Sequence, residues 1–515
     1  MKKRTIALFL LAHLLLVVFI GAQKTNYHID ELYTFTLANR YGARLAPDIT
    51  DGQVYSGDGM FGEYLTVQPE HTFDYGLVYQ NQRNDAHPFL YYSFIHTLCS
   101  FFPNTVSKWF GLIPNYLFML AEDVLLYCLA MKLFKRKDLA LLATAAVGTT
   151  LLTLDTVDFI RMYVLMTVFT VGVGLLLVSY YHREPDRKFW VRLFLLSMGG
   201  ALTQYYFLIY LFFICLYFGV HLLVHKQTKT ALRFIRNMTL AGAATAAVFP
   251  WMLAHIFLGY RGRQAFQNMG DLGSWKDRFL AYYRLIDQYV FGGLFLPVLL
   301  LALSCVIWYI AKNGFSRFLR RLDAPDCMLA FTAAAYILII AKIAPYMVTR
   351  YVTAVGWIYV FMTALLLRRL CRPLFKSGKE RLAAVLVIAP LAVFNICAMA
   401  SVHWDIPMNY TSTRRELDLA EQYADNSVVY VYDAPSPWKI APNYLELIRY
   451  KDYVFIQPEA VESLVAEKAA DSLVLYVISS MEEPPIVEAA RSAGGFASAE
   501  AIYSSYYTDV YYLEK

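Results

Sequence analysis

Along most of this chain the apolar residues neither alternate nor recur at helical spacing. They run on for about twenty positions at a time, the length a helix needs to cross a bilayer. The first run ends at Ala22. Others occupy 109–131, 138–157, 162–181, 189–204, 207–225, 232–258, 291–311, 326–345, 350–367 and 382–401, which makes eleven expected spans. The basic start Met1–Arg4, followed by an apolar run closing on Gly21 and Ala22, has the layout of a signal peptide. Ile20 fits poorly before a cut after Ala22 and many spans follow, so the run is read as a retained first helix. Beyond Ser401 the pattern changes. Ser427–Asp433, Tyr453–Ile456 and Ser472–Ile478 read as buried strands, with helix-like runs at Arg414–Ala424, Tyr444–Tyr450 and Glu459–Ala469, and a closing hairpin over Ala501–Tyr512.

The expected fold is therefore a polytopic α-helical membrane protein with a small C-terminal α/β domain that has a parallel core. The expected domains are a membrane body over 1–402 and a soluble domain over 403–515. Composition agrees: 58% of residues are hydrophobic and only 17% charged, too few to coat a soluble globule of this size. The net charge of +6 hides a split. Residues 403–515 carry 18 acidic and 8 basic side chains, a net of −10, which leaves +16 on the first 402. That basic excess follows the loops, so nucleic acid is not an expected partner. The seven cysteines are scattered without paired spacing and imply neither a disulfide framework nor a zinc site.

Lys and Arg set the expected orientation. With Met1 inside, the internal loops are Lys132–Lys137, Arg183–Lys188, Lys226–Arg236, Lys312–Arg321 and Arg368–Arg381, all basic. The agreement requires that residues 88–103, interrupted by His96 and bounded by Pro88 and Pro103, do not cross. They are read as a helix lying on, or dipping into, the outer leaflet. Two long outer loops follow, 23–108 and 259–290, and the tail lies outside.

The ionisable residues in otherwise apolar surroundings are the candidates for chemistry. Asp30 and Glu31 stand about eight residues after the first helix, with Asp30 a candidate helix cap. Asp85 and His87 precede Pro88, Tyr91 and Tyr92. Asp155, Asp158 and Arg161 have i, i+3, i+6 spacing, which would put them near one helix face. Gln204 and Tyr205, then Lys342, Arg350 and Tyr351, mark further outer ends. Asp30, Asp85, His87, Asp158, Arg161, Gln204, Lys342 and Arg350 all fall on the same expected side. Together they mix carboxylates with cations, as needed to deprotonate a hydroxyl and stabilise a departing phosphate. Gly57–Gly62 satisfies a dinucleotide fingerprint on paper but has no βαβ unit around it, and is read as a turn.

In this order the pieces resemble the GT-C superfamily of membrane glycosyltransferases, in the branch of protein O-mannosyltransferases and lipid A aminoarabinose transferases. They are Asp30-Glu31 after helix one; Asp85, His87, Pro88, Leu90, Tyr91 and Tyr92; Arg161-Met162-Tyr163; Thr203, Tyr205 and Tyr206; and Arg350-Tyr351. The resemblance covers about residues 1–370. It implies a polyprenyl-phosphate-sugar donor used on the outer face of a cell membrane, an acceptor hydroxyl on a glycan, lipid or protein, and inversion at the anomeric carbon. The first-loop Asp acts as base; some members use a divalent metal and others do not. Phe89 stands where a second proline is usual, and Asp85-Ala86-His87 lacks the basic partner found near the donor phosphate in aminoarabinose transferases.

The expected catalytic carboxylates are thus Asp30, Glu31 and Asp158. Glu31, about 100° from Asp30 around a helix, is read as orienting the loop or pairing with a cation. Asp158 is the rival base. Substrate and lipid-phosphate contacts are expected from Asp85, His87, Tyr91, Arg161, Tyr163, Gln204, Tyr205, Lys342, Arg350 and Tyr351. The competing readings are a glycolipid transporter or flippase, and an inactive glycolipid-binding relative. A transporter predicts inverted repeats and mid-membrane charges; no repeat is visible, and the charges cluster at one expected face.

Overall fold

A computed structural model describes residues 3–25, 27–43, 45–271, 273–316, 324–371, 392–398, 400, 414–468, 470–505 and 507–515. Most of the expected span at 382–401 and most of the expected loop Arg368–Arg381 fall outside them. In chain order the helices begin with α1 (Lys3–Gln23), α2 (Ile29–Asn39), α3 (Gly59–Leu65), α4 (Tyr75–Asn84), α5 (Leu90–Ser100) and α6 (Trp109–Phe134). Next come α7 (Lys137–Gly148), α8 (Leu151–Asp158), α9 (Tyr163–Tyr180), α10 (Arg187–Ala201), α11 (Tyr206–Val224) and α12 (Thr228–Val248). They continue with α13 (Trp251–Phe257), α14 (Tyr260–Gly270), α15 (Trp275–Phe291), α16 (Phe295–Asn313), α17 (Ala324–Ile343) and α18 (Thr353–Cys371). The tail adds α19 (Arg414–Gln422), α20 (Tyr444–Leu447), α21 (Val461–Lys468) and α22 (Glu483–Gly494). The strands are β1 (Val54–Tyr55), β2 (Ser427–Val431), β3 (Asp452–Ile456), β4 (Ser472–Ile478), β5 (Ser498–Ser504) and β6 (Thr508–Glu514).

Chain contacts divide these elements into two compact units. One holds Met1–Ala22, Gln82–Tyr91 and Gly111–Trp404; the other holds Gln23–Asn81, Tyr92–Phe110 and Asp405–Lys515.

The first unit is all helical. Among the described residues five helices, α1, α9, α11, α16 and α17, are long and apolar enough to cross a membrane, or seven spans if each of two bent pairs counts as one. The chain is on this ground a polytopic membrane protein. Two of the expected runs do not form single rods. The 138–157 run breaks between α7 and α8 with a bend of 59°. There Thr149 and Thr150 turn their hydroxyls onto the carbonyls of Ala145 and Val147, and Thr150 caps α8 through the Thr153 N–H. The 232–258 run breaks at Phe249, and the chain turns by 100°. Pro250 has no N–H to continue the ladder and disfavours helical dihedrals at Phe249, which adopts φ −138° and ψ 77°. The 88–103 run contains only the 11 residues of α5. At 1.5 Å per residue that is about 16 Å, half the thickness of a hydrocarbon core.

The second unit is built on a six-stranded sheet in the order β1-β3-β2-β4-β6-β5. β3, β2 and β4 form the expected parallel core, and β6 and β5 extend it antiparallel as a hairpin that begins three residues before the predicted one. Helix α22 is an element the tail pattern did not announce. With α21 it covers one face of the sheet, burying Val429, Val454, Leu475, Val477, Ile486 and Phe496.

Residues 23–81, read from sequence as part of the membrane body, group with this tail. β1 pairs antiparallel with β3 and covers what would be an open sheet edge. The Tyr432 hydroxyl donates to Asp51 at 2.6 Å, the Tyr453 hydroxyl donates to the Gly57 carbonyl at 3.1 Å, and Phe61 packs on Tyr444. The Gly57–Gly62 run therefore opens α3 beside the sheet as an ordinary turn.

Candidate active site

Eleven of the thirteen predicted site residues lie in the helical unit, in four segments that meet. The first is the irregular stretch after α4. The His87 Nδ1 and an Asp85 carboxylate oxygen are 2.7 Å apart, with the Asp85 side chain 10% exposed and that of His87 24%. Burial opposes ionisation of Asp85. The charge and hydrogen bond of His87, the charge of Arg161 and the Ala86 N–H outweigh it and hold the carboxyl below its ordinary value. The Asp85 carboxylate serves the His87 ring.

Two anchors fix this stretch. Leu90 N–H donates to the Leu202 carbonyl at 3.2 Å. Upstream, His255 spans two elements: its Nδ1 meets the Tyr205 hydroxyl at 2.8 Å and its Nε2 meets the Arg83 carbonyl at 3.0 Å. The Arg83 guanidinium lies 4.0 Å from the centre of the Trp251 ring. Sequence reasoning missed His255, Arg83 and Trp251, because only the sharp bend at Pro250 brings α13 to this end of the bundle.

The second segment is the turn between α8 and α9. α8 ends at Asp158 and Phe159 is extended, so Asp155, Asp158 and Arg161 do not share one helix face. The i, i+3, i+6 expectation fails because the helix stops inside it. Arg161 N–H closes the turn onto the Phe159 carbonyl at 2.7 Å, and Tyr163 stacks on Phe159. Asn115 of α6 organises the region. Its amide donates to the carbonyls of Val157 and Phe159 at 3.1 and 2.8 Å, and its oxygen accepts the Tyr91 hydroxyl at 3.0 Å. Tyr91 is fully buried and holds this joint together. Asn115 reads in sequence as a polar residue in an apolar run that also holds Glu122 and Asp123.

The third and fourth segments, after α10 and after α17, bring in tyrosines and arginines. Tyr206 packs edge-on against Tyr351, with ring centres 4.7 Å apart, and lies within electrostatic reach of Tyr163, Tyr282 and Tyr336. Tyr336 donates to the Tyr351 carbonyl at 3.1 Å and Tyr282 to the Tyr346 carbonyl at 2.9 Å. The Arg350 guanidinium lies 5.7 Å from the centre of the Tyr351 ring, and that of Arg261 lies 5.3 Å from the Tyr346 ring centre. Arg278 closes the carbonyl end of α17 through Ala341 and Ala344. Lys342 donates to the Asp271 carbonyl and Gln204 accepts the Tyr205 N–H at 2.6 Å. The arrangement is a half-buried, tyrosine-walled region with guanidinium groups and one ionised carboxylate–imidazole pair. Its chemistry suits a phosphate and a polyhydroxylated group.

Asp30 and Glu31 belong to the second unit. The N-cap of α2 is His28, not Asp30: its Nδ1 accepts the Asp30 N–H at 3.0 Å. Glu31 accepts the His28 N–H at 2.7 Å, closing a capping box. Glu31 is fully buried and its carboxylate lies 3.1 Å from Lys24 Nζ, a cation pairing of the kind expected from its direction on the helix. The Asp30 side chain, one residue earlier, is 21% exposed.

Among the described residues no three His, Cys, Asp or Glu side chains gather as a metal site. Asp85 and His87 offer two donors that already bind each other. Among the described residues, these two donors are too few to hold a resident divalent metal.

No protein-family model matches the chain, and no curated protein matches it. Among solved structures it is similar to ArnT from Cupriavidus metallidurans bound to undecaprenyl phosphate, with a TM-score of 0.48 at 11% identity over 99% of this chain and 98% of that one. It is also similar to the oligosaccharyltransferase AglB from Archaeoglobus fulgidus in complex with an inhibitory peptide and a dolichol-phosphate, with a TM-score of 0.41 at 11% identity over 90% and 69% of the two chains. The arabinofuranosyltransferase AftD from Mycobacteria gives a TM-score of 0.42 at 12% identity over 100% of this chain and 40% of its own.

Proposed function

We propose that this protein is a membrane glycosyltransferase of the GT-C type, taking a sugar from a polyprenyl-phosphate donor to an acceptor hydroxyl at the outer face of the membrane. The observation that carries the reading is the meeting, at one end of the helical unit, of Asp85–His87 with Arg161 and of Arg350 with the Tyr163, Tyr206 and Tyr351 wall. Those are the motif positions on which the sequence resemblance rests.

In this reading the acceptor oxygen attacks the anomeric carbon while Asp30 takes its proton. The bond from that carbon to the lipid-phosphate oxygen breaks and the lipid phosphate leaves with the electron pair, so the configuration inverts. Arg350 and Arg161 bind the phosphate, where a guanidinium offers paired donors and stays charged beside lipid. The donor is already activated by its phosphate, so a modest base suffices. The test is mass spectrometry of lipid-linked sugars. Deleting the protein should cause one polyprenyl-phosphate sugar to accumulate, and the wild-type chain, but not Asp30→Asn, should consume it in proteoliposomes. Unchanged lipid-linked sugars on deletion would refute the reading.

A further inference from the structure

Asp30 and Glu31 are adjacent acids treated in opposite ways. Glu31 is fully enclosed and bound by both Lys24 and the His28 backbone, while Asp30 keeps part of its carboxylate accessible. The Lys24 and Glu31 side chains are 2% and 0% exposed. A buried ion pair is a poor device for stability: its desolvation cost offsets most of the attraction, and apolar residues of similar size often do as well. What it supplies is a fixed geometry, because a buried charge accepts few arrangements of its partner.

The cap is equally specific. N-caps are usually Ser, Thr, Asp or Asn. Here an imidazole does the work. Nδ1 accepts from the Asp30 N–H, so the ring is neutral with its proton on Nε2, and the same Nδ1 lies 3.8 Å from an Asp30 carboxylate oxygen. The Thr34 hydroxyl donates to the Asp30 carbonyl at 3.1 Å. Asp30 is thus held through its own N–H, its own carbonyl and the box closed by its neighbour.

We infer that Lys24, Glu31 and His28 form a clamp that positions Asp30, with Glu31 a positioning residue and not a second base. The inference rests on the proposed role of Asp30. It requires that loosening the clamp slow the chemical step while leaving donor binding alone, since misplacing a reacting group by about 1 Å costs on the order of a hundredfold in rate.

The test uses the full chain in proteoliposomes and measures kcat, donor KM and thermal midpoint. Lys24→Met strands a buried carboxylate and destabilises the region, so the decisive variant is Lys24→Met with Glu31→Leu, which removes both charges. The clamp predicts a double variant that still folds, its thermal midpoint lowered only by the lost His28 N–H to Glu31 bond, with unchanged donor KM and kcat lowered about tenfold to a hundredfold. His28→Ala should be slow, and His28→Asn, which restores a side-chain acceptor at the cap, should recover most of the rate. A stable double variant with parental kcat overturns the clamp, and so does a His28→Asn variant as slow as His28→Ala. Failure of the underlying reading looks different: Asp30→Asn itself then turns over at the parental rate.

Discussion

His87 Nδ1 lies 2.7 Å from the Asp85 carboxylate, and this pair is tied to the α8–α9 turn through the charge of Arg161. Two residues apart in sequence, Asp85 and His87 face each other only because the stretch between α4 and α5 is not helical.

Asp85 should leave a pH signature on stability. Its folded pKa lies below the ordinary 3.8, so its contribution is complete above that value and is lost as pH falls through the lower folded one. Thermal midpoints of the detergent-solubilised protein should show Asp85→Asn offset below the parent at about pH 5–7, with the offset shrinking below about pH 4. An offset that is constant down to acid pH would show that Asp85 contributes no charge-dependent stability.

Arg350→Lys should not restore full activity. A lysine ammonium is a point charge and cannot form the paired contacts of a guanidinium, so donor affinity should fall on the order of tenfold. Donor binding by Arg350→Ala equal to that of the parent would mean that Arg350 only anchors its turn.

Asp30→Asn keeps the shape of the side chain and removes its basicity. It should fold, bind donor and lose about a hundredfold or more in turnover. Asp158→Asn is the control for the rival base. If it is the inactive variant and Asp30→Asn is not, the two assignments exchange.

Gly111→Ala should damage both fold and activity. A β-carbon there would clash with a methyl of Ile160, which is itself fully buried next to Arg161. Overpacking of this kind costs about 1–3 kcal/mol. A lowered thermal midpoint together with weakened donor binding is the expected result. A variant indistinguishable from the parent in both would mean that the turn adapts freely.

Cysteines placed at Glu184 and Ser463, both exposed, test the orientation. An impermeant thiol reagent added to intact cells should label the Ser463→Cys variant and leave the Glu184→Cys variant unlabelled. Labelling at Glu184 from outside would invert the scheme.

Much of this protein was readable from sequence alone, for a reason of length scale. A twenty-residue apolar run, or a strand of four buried residues, is decided by its own composition, and both the helical body and the parallel core of the tail follow from such runs. The order of the motif residues Asp30, Asp85, Arg161, Tyr205 and Arg350 is a property of the chain and was visible as such. The tertiary structure decided whatever depends on where a run stops and what packs beside it. Pro250 turns the chain so that His255 reaches Tyr205 and Arg83, 50 and 172 residues away. The early end of α8 at Asp158 takes Asp155, Asp158 and Arg161 off a common helix face. β1 is two residues long, too short to register as a strand, and it exists only because β3 has an edge to cover. Asn115, Lys24 and His28 are polar residues whose partners lie on other elements or across a cap. A polar group's role depends on which donor or acceptor meets it once water is removed, and no local pattern encodes that meeting.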